Sequence, residues 1–197
     1  MTSAETAGSE QETRPARAKK CLGCGCQFQP FSSLAKACSP SCALKVARME
    51  RERKEARAQA EARESVKTRR ELLAEVQHAF NAWVRARDYG KPCVSCGHPD
   101  NGTRQRHAGH YRSVGAHPAL RFEPANVHAQ CVKCNNYQSG NLVAYREELV
   151  RRIGLDRVEW LESHHEPRKY TEDDLRAMKK NYRKMARQLS KNMDASR

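Results

Sequence analysis

A chain of 197 residues with 37 Lys and Arg against 23 Asp and Glu, a formal net charge of +14, is long enough for one ordinary domain with smaller modules beside it. Only 38% of the residues are apolar and 30% are charged, and the apolar ones cluster, which excludes one large core and predicts small folded units joined by solvated segments. No apolar run approaches membrane-spanning length and no secretory core follows Met1, so the expectation is a soluble cytoplasmic protein, with a polyanion, nucleic acid first, as the partner its charge favours.

Residues 1–20 are small, polar and charged, the composition of a disordered basic arm. Nine cysteines follow, eight of them in four close pairs. An odd number without an export signal argues for metal rather than disulfides. Cys21, Cys24, Cys38 and Cys42 read as a zinc-ribbon-like module over residues 21–42, around a Phe28, Phe31 and Leu34 cluster too small to fold without the ion. Cys26 is a fifth thiol that can stand in for Cys24. Residues 43–70 are dominated by Glu, Arg, Lys and Ala, which predicts a solvated charged helix, read as a spacer with a basic rod along DNA as the alternative.

From Glu71 the pattern changes, and residues 71–192 read as the main domain. Leu72, Val76, Ala79, Phe80 and Trp83 recur at helical spacing, and Gly90 and Pro92 end the run. His78 is expected on its surface. Cys93, Cys96, Cys131 and Cys134 form two knuckles whose two-residue spacing lets each pair reach one tetrahedral zinc. The loop between the knuckles carries His107, His110, His117 and His128, with Asn126 before the second knuckle and Asn135 directly after it, a surplus that a structural zinc site does not need. Leu142, Tyr145, Leu149 and Ile153 predict a helix stopped by Gly154, a short one follows around Val158, Trp160 and Leu161, and Thr171 with Asp174 opens a last one. That helix carries Leu175, Met178, Tyr182, Met185 and Leu189 at heptad-like spacing, read as packing on its own domain, with a homodimer coil as the alternative. Residues 193–197 are a tail.

AGHY (Ala108 to Tyr111) followed by ANVHAQCVKCN (Ala125 to Asn135) resembles the HNH nuclease pattern. The wider order, an N-terminal cysteine-pair module, a charged helix, PCVSCG, AGHYRS, LRFEPANVHAQC and SGNLVAYREELV, resembles the NinG/Rap recombination endonuclease family of lambdoid phages from about Cys21 to Tyr182. The resemblance implies an α+β fold, a small zinc-stabilised ββα-metal core flanked by helices. It implies an endonuclease that cuts displacement loops and Holliday junctions in the bacterial host, alongside phage or host recombination proteins. His110 takes the place of the general base, Asn126 braces the loop, and Asn135 is a ligand of a catalytic Mg²⁺ or Mn²⁺. Many HNH sites place the other ligand directly before the base, where this chain has Gly109, so His107 or His128 is the candidate instead. Arg104, Arg106, Arg112 and Arg121 are candidate phosphate contacts, since a guanidinium can clamp phosphate through two bonds. Tyr111 is expected to pack beneath the hairpin.

The rival reading is a non-catalytic zinc protein that binds DNA or a recombination partner and uses His107 and His110 structurally. An RNA-binding protein ranks last, because aromatic residues are only 6% of the chain and few adjoin its basic segments.

Overall fold

The computed structural model describes residues 17–101 and 105–195, which divide into two units between Val66 and Lys67. Most of the expected N-terminal arm, and Arg104, lie outside the described residues.

In the first unit, β1 (Lys19–Lys20) pairs antiparallel with β2 (Gln27–Phe28), so the last two residues assigned to the arm belong to the module. A tight turn joins the strands. Cys21 N–H donates to Cys26 O at 2.7 Å, Gly25 N–H donates to Cys21 O at 2.8 Å, and Gly25 sits at φ +79°, a conformation open to glycine because it has no Cβ. The expected apolar cluster does not form, since Phe31 is 90% and Leu34 85% exposed. The thiols hold this unit, not a core. The helix after them, α1 (Pro40–Ser65), starts earlier than its composition suggested because Ser39 caps it, accepting from Cys42 N–H at 3.3 Å, and Pro40 presets the first turn. Val46 is its only buried residue. Arg48–Glu52 and Arg57–Glu61 pairs lace its surface, where solvent screens them.

The second unit begins with a capping box. Thr68 Oγ1 accepts from Glu71 N–H and the Glu71 carboxylate accepts from Thr68 N–H, opening α2 (Arg69–Arg87). Its predicted stripe is buried, with Val84 added, and His78 is exposed. The stripe packs against Phe122, Val127 and Leu175. Also against it lies α5 (Glu172–Ala195), whose Met178, Tyr182, Met185 and Leu189 are half-buried on that core. The Tyr182 ring meets Phe80 edge-on at 5.0 Å, and Thr171 and Asp174 form the expected reciprocal cap. The helix thus packs on its own domain, and it runs to Ala195, through most of the expected tail. A second core joins α3 (Leu142–Ile153) and α4 (Leu155–Glu162), parted by Gly154 at φ +83°, to Val94, Tyr111 and Leu120.

Between the cores lies a hairpin, β3 (Arg106–His110) antiparallel to β4 (Val127–Cys131), with Gly109 opposite His128 and His110 opposite Val127. Cross-strand partners share a face, and successive residues alternate. His107, Gly109, His128 and Gln130 therefore point to one side, where Tyr145 of α3 meets His128. Ala108, His110, Val127 and Ala129 point to the other, where Ala108 and Val127 join the α2 core. The architecture is α+β, with small sheets. No helix among the described residues is long and apolar enough to cross a membrane.

Candidate functional site

Two sets of four sulfurs come together, Cys21, Cys24, Cys26 and Cys38 in the first unit and Cys93, Cys96, Cys131 and Cys134 in the second, the Sγ atoms of each set within 4.8 Å of one another. A tetrahedral zinc with Zn–S bonds of about 2.3 Å needs sulfurs roughly 3.8 Å apart. The separations of 3.8 Å for Cys96–Cys131 and 3.6 Å for Cys24–Cys38 meet that requirement. Backbone N–H groups also point at the sulfurs, Cys131 N at 3.3 Å from Cys93 Sγ and Cys38 N at 3.4 Å from Cys21 Sγ. Both donor sets fit zinc, the first once Cys24 Sγ and Cys26 Sγ, 3.1 Å apart, open to the tetrahedral spacing. The first differs from the expected one, because the Gly25 turn brings Cys26 in, whereas Cys42 lies in the first turn of α1 with its Sγ 3.7 Å from Cys38.

The second knuckle set brackets the hairpin and so fixes where its histidines stand. His110 ends β3, half-buried, and its Nε2 lies 3.0 Å from Arg121 O. A carbonyl can only accept, so Nε2 carries the proton and Nδ1 keeps its lone pair. Burial, with the nearby Arg121 charge, holds the imidazole below its ordinary pKa, against the favourable bond to that carbonyl. It is neutral at pH 7. The loop that supplies Arg121 is held by Asn126, wholly buried. Its Oδ1 accepts from Arg112 N–H at 2.8 Å, and its Nδ2 donates to Arg112 O at 3.0 Å and to Leu120 O at 3.1 Å.

On the opposite face, the hairpin brings His107 to Asn135, with His107 Nδ1 3.1 Å from Asn135 Nδ2 and 3.2 Å from Asn136 Oδ1. Asn135 sits in the short π-helical turn Lys133–Tyr137 that follows the knuckle. His128 is engaged elsewhere. Tyr145 donates its one hydroxyl proton to Gly109 O at 3.0 Å, so His128 Nδ1, 3.3 Å from that hydroxyl, must donate to it. Burial, then the Arg87 charge, pushes His128 down to a pKa of about 4. Among the described residues, His107, His110 and His128 do not gather into one ligand set; only the thiols do.

Of the candidate arginines, Arg106 turns to the first knuckle, its Nη2 donating to His98 O at 2.9 Å and its Nε 3.6 Å from Asp100. Arg112 Nη2 donates to His117 Nε2 at 2.8 Å, and burial with the Arg112 charge holds His117 below its usual pKa. Arg112 and Arg121 are thus the two tied to the loop around His110. Tyr111 packs into the second core, as expected, and donates to Glu162, which Arg146 also grips at 2.8 Å.

Three buried groups went unread in the sequence. Asp88, 1% exposed, caps α2 and accepts from Arg87 at 2.7 Å, Lys91 at 3.1 Å and Ala129 N–H at 3.0 Å, tying α2 to β4. Burial raises its pKa, but the bond to Arg87 and its charge prevail and hold it at about 2. Tyr145 links α3 to β3. Gln130, fully buried, donates through Nε2 to Ser95 Oγ at 2.6 Å and to Gly140 O, which turns its Oε1 toward Gly109. A Cβ added at Gly109 would stand 2.1 Å from that oxygen and 3.1 Å from Asn135 Oδ1. Glycine before His110 is thus a packing requirement.

A family model described as Bacteriophage Lambda NinG protein matches residues 13–192. The chain belongs to the NinG family. It is 37% identical to protein ninG of Escherichia phage lambda over 197 aligned positions, covering 89% of this chain and 95% of that one. It is 36% identical to protein ninG of Salmonella phage P22, covering 82% and 88%. With protein ninG of Escherichia phage 933W the identity is 43% over 125 residues, so the match spans 64% of this NinG chain and 61% of that relative. No solved structure matches.

Proposed function

We propose that this NinG-family protein is a metal-dependent, structure-specific DNA endonuclease of the HNH type, cutting branched recombination intermediates such as displacement loops and Holliday junctions. The observation that supports this most is the state of His110. It is a neutral imidazole at a strand end, oriented by Arg121 O, with Nδ1 left as a base. Nδ1 takes a proton from water as the water oxygen bonds to phosphorus and the bond to the leaving sugar oxygen breaks. Asn126 holds the loop that orients the base, without touching the reacting atoms. Arg112, bonded to His117, and Arg121, over the Phe122 ring, are the arginines of this loop that would neutralise phosphate.

Asn135 turns its amide nitrogen to His107 Nδ1 at 3.1 Å, so a Mg²⁺ or Mn²⁺ held here would take His107 Nε2 or, with the amide turned over, Asn135 Oδ1, with water in the remaining positions. An ion bound there would lie across the ribbon from His110, so it would neutralise a neighbouring phosphate rather than the leaving oxygen of the bond that His110 opens. The alternation of β3 favours a second reading, a non-catalytic zinc protein that binds DNA, because His107 and His110 face opposite ways.

His110→Gln keeps an amide donor near the Nε2 position, within reach of Arg121 O, and removes the base. With Mg²⁺ or Mn²⁺, wild type is expected to cut labelled four-way junctions and displacement loops in preference to linear duplex. The variant should bind equally well and cut at least about 100-fold more slowly. The wild-type rate should fall only below a pH of about 6.5, since the folded imidazole titrates lower than the free one. Wild type that binds and never cuts, with either ion, selects the non-catalytic reading.

A further inference from the structure

From Leu175 to Met193, α5 contains no Asp or Glu, yet it carries Arg176, Lys179, Lys180, Arg183, Lys184, Arg187 and Lys191. Lys179 is buried and bound to Glu75 at 3.0 Å, and Arg176 pairs with Glu172 at 3.1 Å. Lys180, Arg183, Lys184, Arg187 and Lys191 are exposed, and none of them forms an ion pair among the described residues. At about 100° per residue these five fall within roughly 100° of one another around the helix axis. The residues that pack on α2, from Leu175 to Leu189, take the opposite side. The result is a one-sided cationic stripe about 16 Å long between Lys180 and Lys191, at 1.5 Å per residue.

A second charged helix in the same chain is built differently. On α1 the basic residues are interleaved with Glu50, Glu52, Glu55, Glu61 and Glu64, and Arg48 and Arg57 are bonded to Glu52 and Glu61. Its charges largely cancel within the helix. Those of α5 do not, and the like charges repel one another at three- and four-residue spacing, a cost that a polyanion would reverse.

We propose that the outer face of α5 binds the phosphate backbone of duplex DNA, so that α5, rather than α1, is the element that holds the protein on the arm of its substrate. The proposal rests on the DNA reading above and adds the surface that does the holding. The stripe carries no aromatic ring, Tyr182 being turned into the core, so it has no platform on which unpaired bases could stack. A row of point charges matches the regular phosphates of a duplex, and such contacts fix position without reading sequence.

The test uses the full chain with all five residues changed to Gln (K180Q, R183Q, K184Q, R187Q, K191Q), which preserves helix propensity. Binding to a labelled linear duplex is measured from 50 to 200 mM salt with no added divalent ion, so cleavage plays no part. Each lost phosphate contact lowers the slope of log Kd against log salt by about 0.9. The slope should therefore fall by about 4.5, and the loss of affinity between 50 and 200 mM salt should shrink by about two to three decades. A variant with the three lysines changed to Arg should bind like wild type, and neutralising Arg48 and Arg57 on α1 should leave the slope within about one of wild type. An unchanged slope in the five-fold Gln variant, with its helical spectrum and unfolding midpoint retained, overturns the proposal. A loss confined to single-stranded DNA or to RNA overturns the duplex assignment. Wild type that binds DNA and never cuts it would count against the nuclease reading and leave this one standing.

Discussion

Substituting Gly109 by Ala tests whether the residue before the proposed base is set by packing. The new Cβ would lie 2.1 Å from Gln130 Oε1, far inside contact, and 3.1 Å from Asn135 Oδ1. Gln130 cannot swing aside freely, because it is fully buried and bound to Ser95 Oγ and Gly140 O. Moving it forfeits two buried hydrogen bonds, each worth about 1 kcal/mol net, and leaves the displaced amide itself unsatisfied at about 1–3 kcal/mol, while Ser95 Oγ keeps its bond to Gly140 O. The expected loss is ~3–5 kcal/mol, read from urea unfolding at fixed zinc. Gln130→Ala removes the obstacle, so Gly109→Ala/Gln130→Ala should lose at least about 2 kcal/mol less than the sum of the single changes. A single-variant loss below about 1 kcal/mol, or strict additivity, would refute the reasoning and reopen position 109 to a side chain.

Two buried titrations separate by pH. His128, folded at a pKa of about 4 against about 6.5 unfolded, takes up its proton more readily in the unfolded chain. Its contribution is present above pH 6.5 and lost as pH falls toward 4, about 3 kcal/mol in all. Unfolding midpoints of His128→Gln should change less than those of wild type across that window, and parallel curves would contradict it. Asp88, held at about 2 against an ordinary 3.9, contributes about 2 kcal/mol that is lost only between roughly pH 4 and 2, so Asp88→Asn should already be destabilised at pH 7. In the first module, Cys26→Ser should lower bound zinc from about two ions per chain to one while Cys42→Ser keeps both. The reverse result would restore Cys42 as the ligand.

Much of this was legible in the chain itself, because the signals were periodic or chemically narrow. Knuckle cysteines announce a tetrahedral ion, and Leu72 to Trp83 announce a helix with one buried face. Other features had a signal that was passed over. Thr68 and Glu71 spell a capping box, and His107 and His110, three residues apart on a strand, must face opposite ways. The partners of Asp88, Gln130 and Tyr145 were hidden for a different reason. Each makes a bond across 35 to 41 positions of sequence, and no local pattern tells a buried polar residue from a solvated one. The exchange of Cys26 for Cys42 turned on the sharpness of a single turn at Gly25.

A two-stranded ribbon of five residues a side has little of its own to keep one strand from sliding against the other. In this hairpin the sulfurs act as a ruler. Cys131 closes β4 opposite Arg106 and anchors its own N–H on Cys93 Sγ. Because side chains alternate with a period of two, a slip of one place would turn His110 to the face now held by Gly109. An ion held at this knuckle would therefore carry directional information as well as stability, since it would determine toward which side of the sheet the histidine presents its nitrogen.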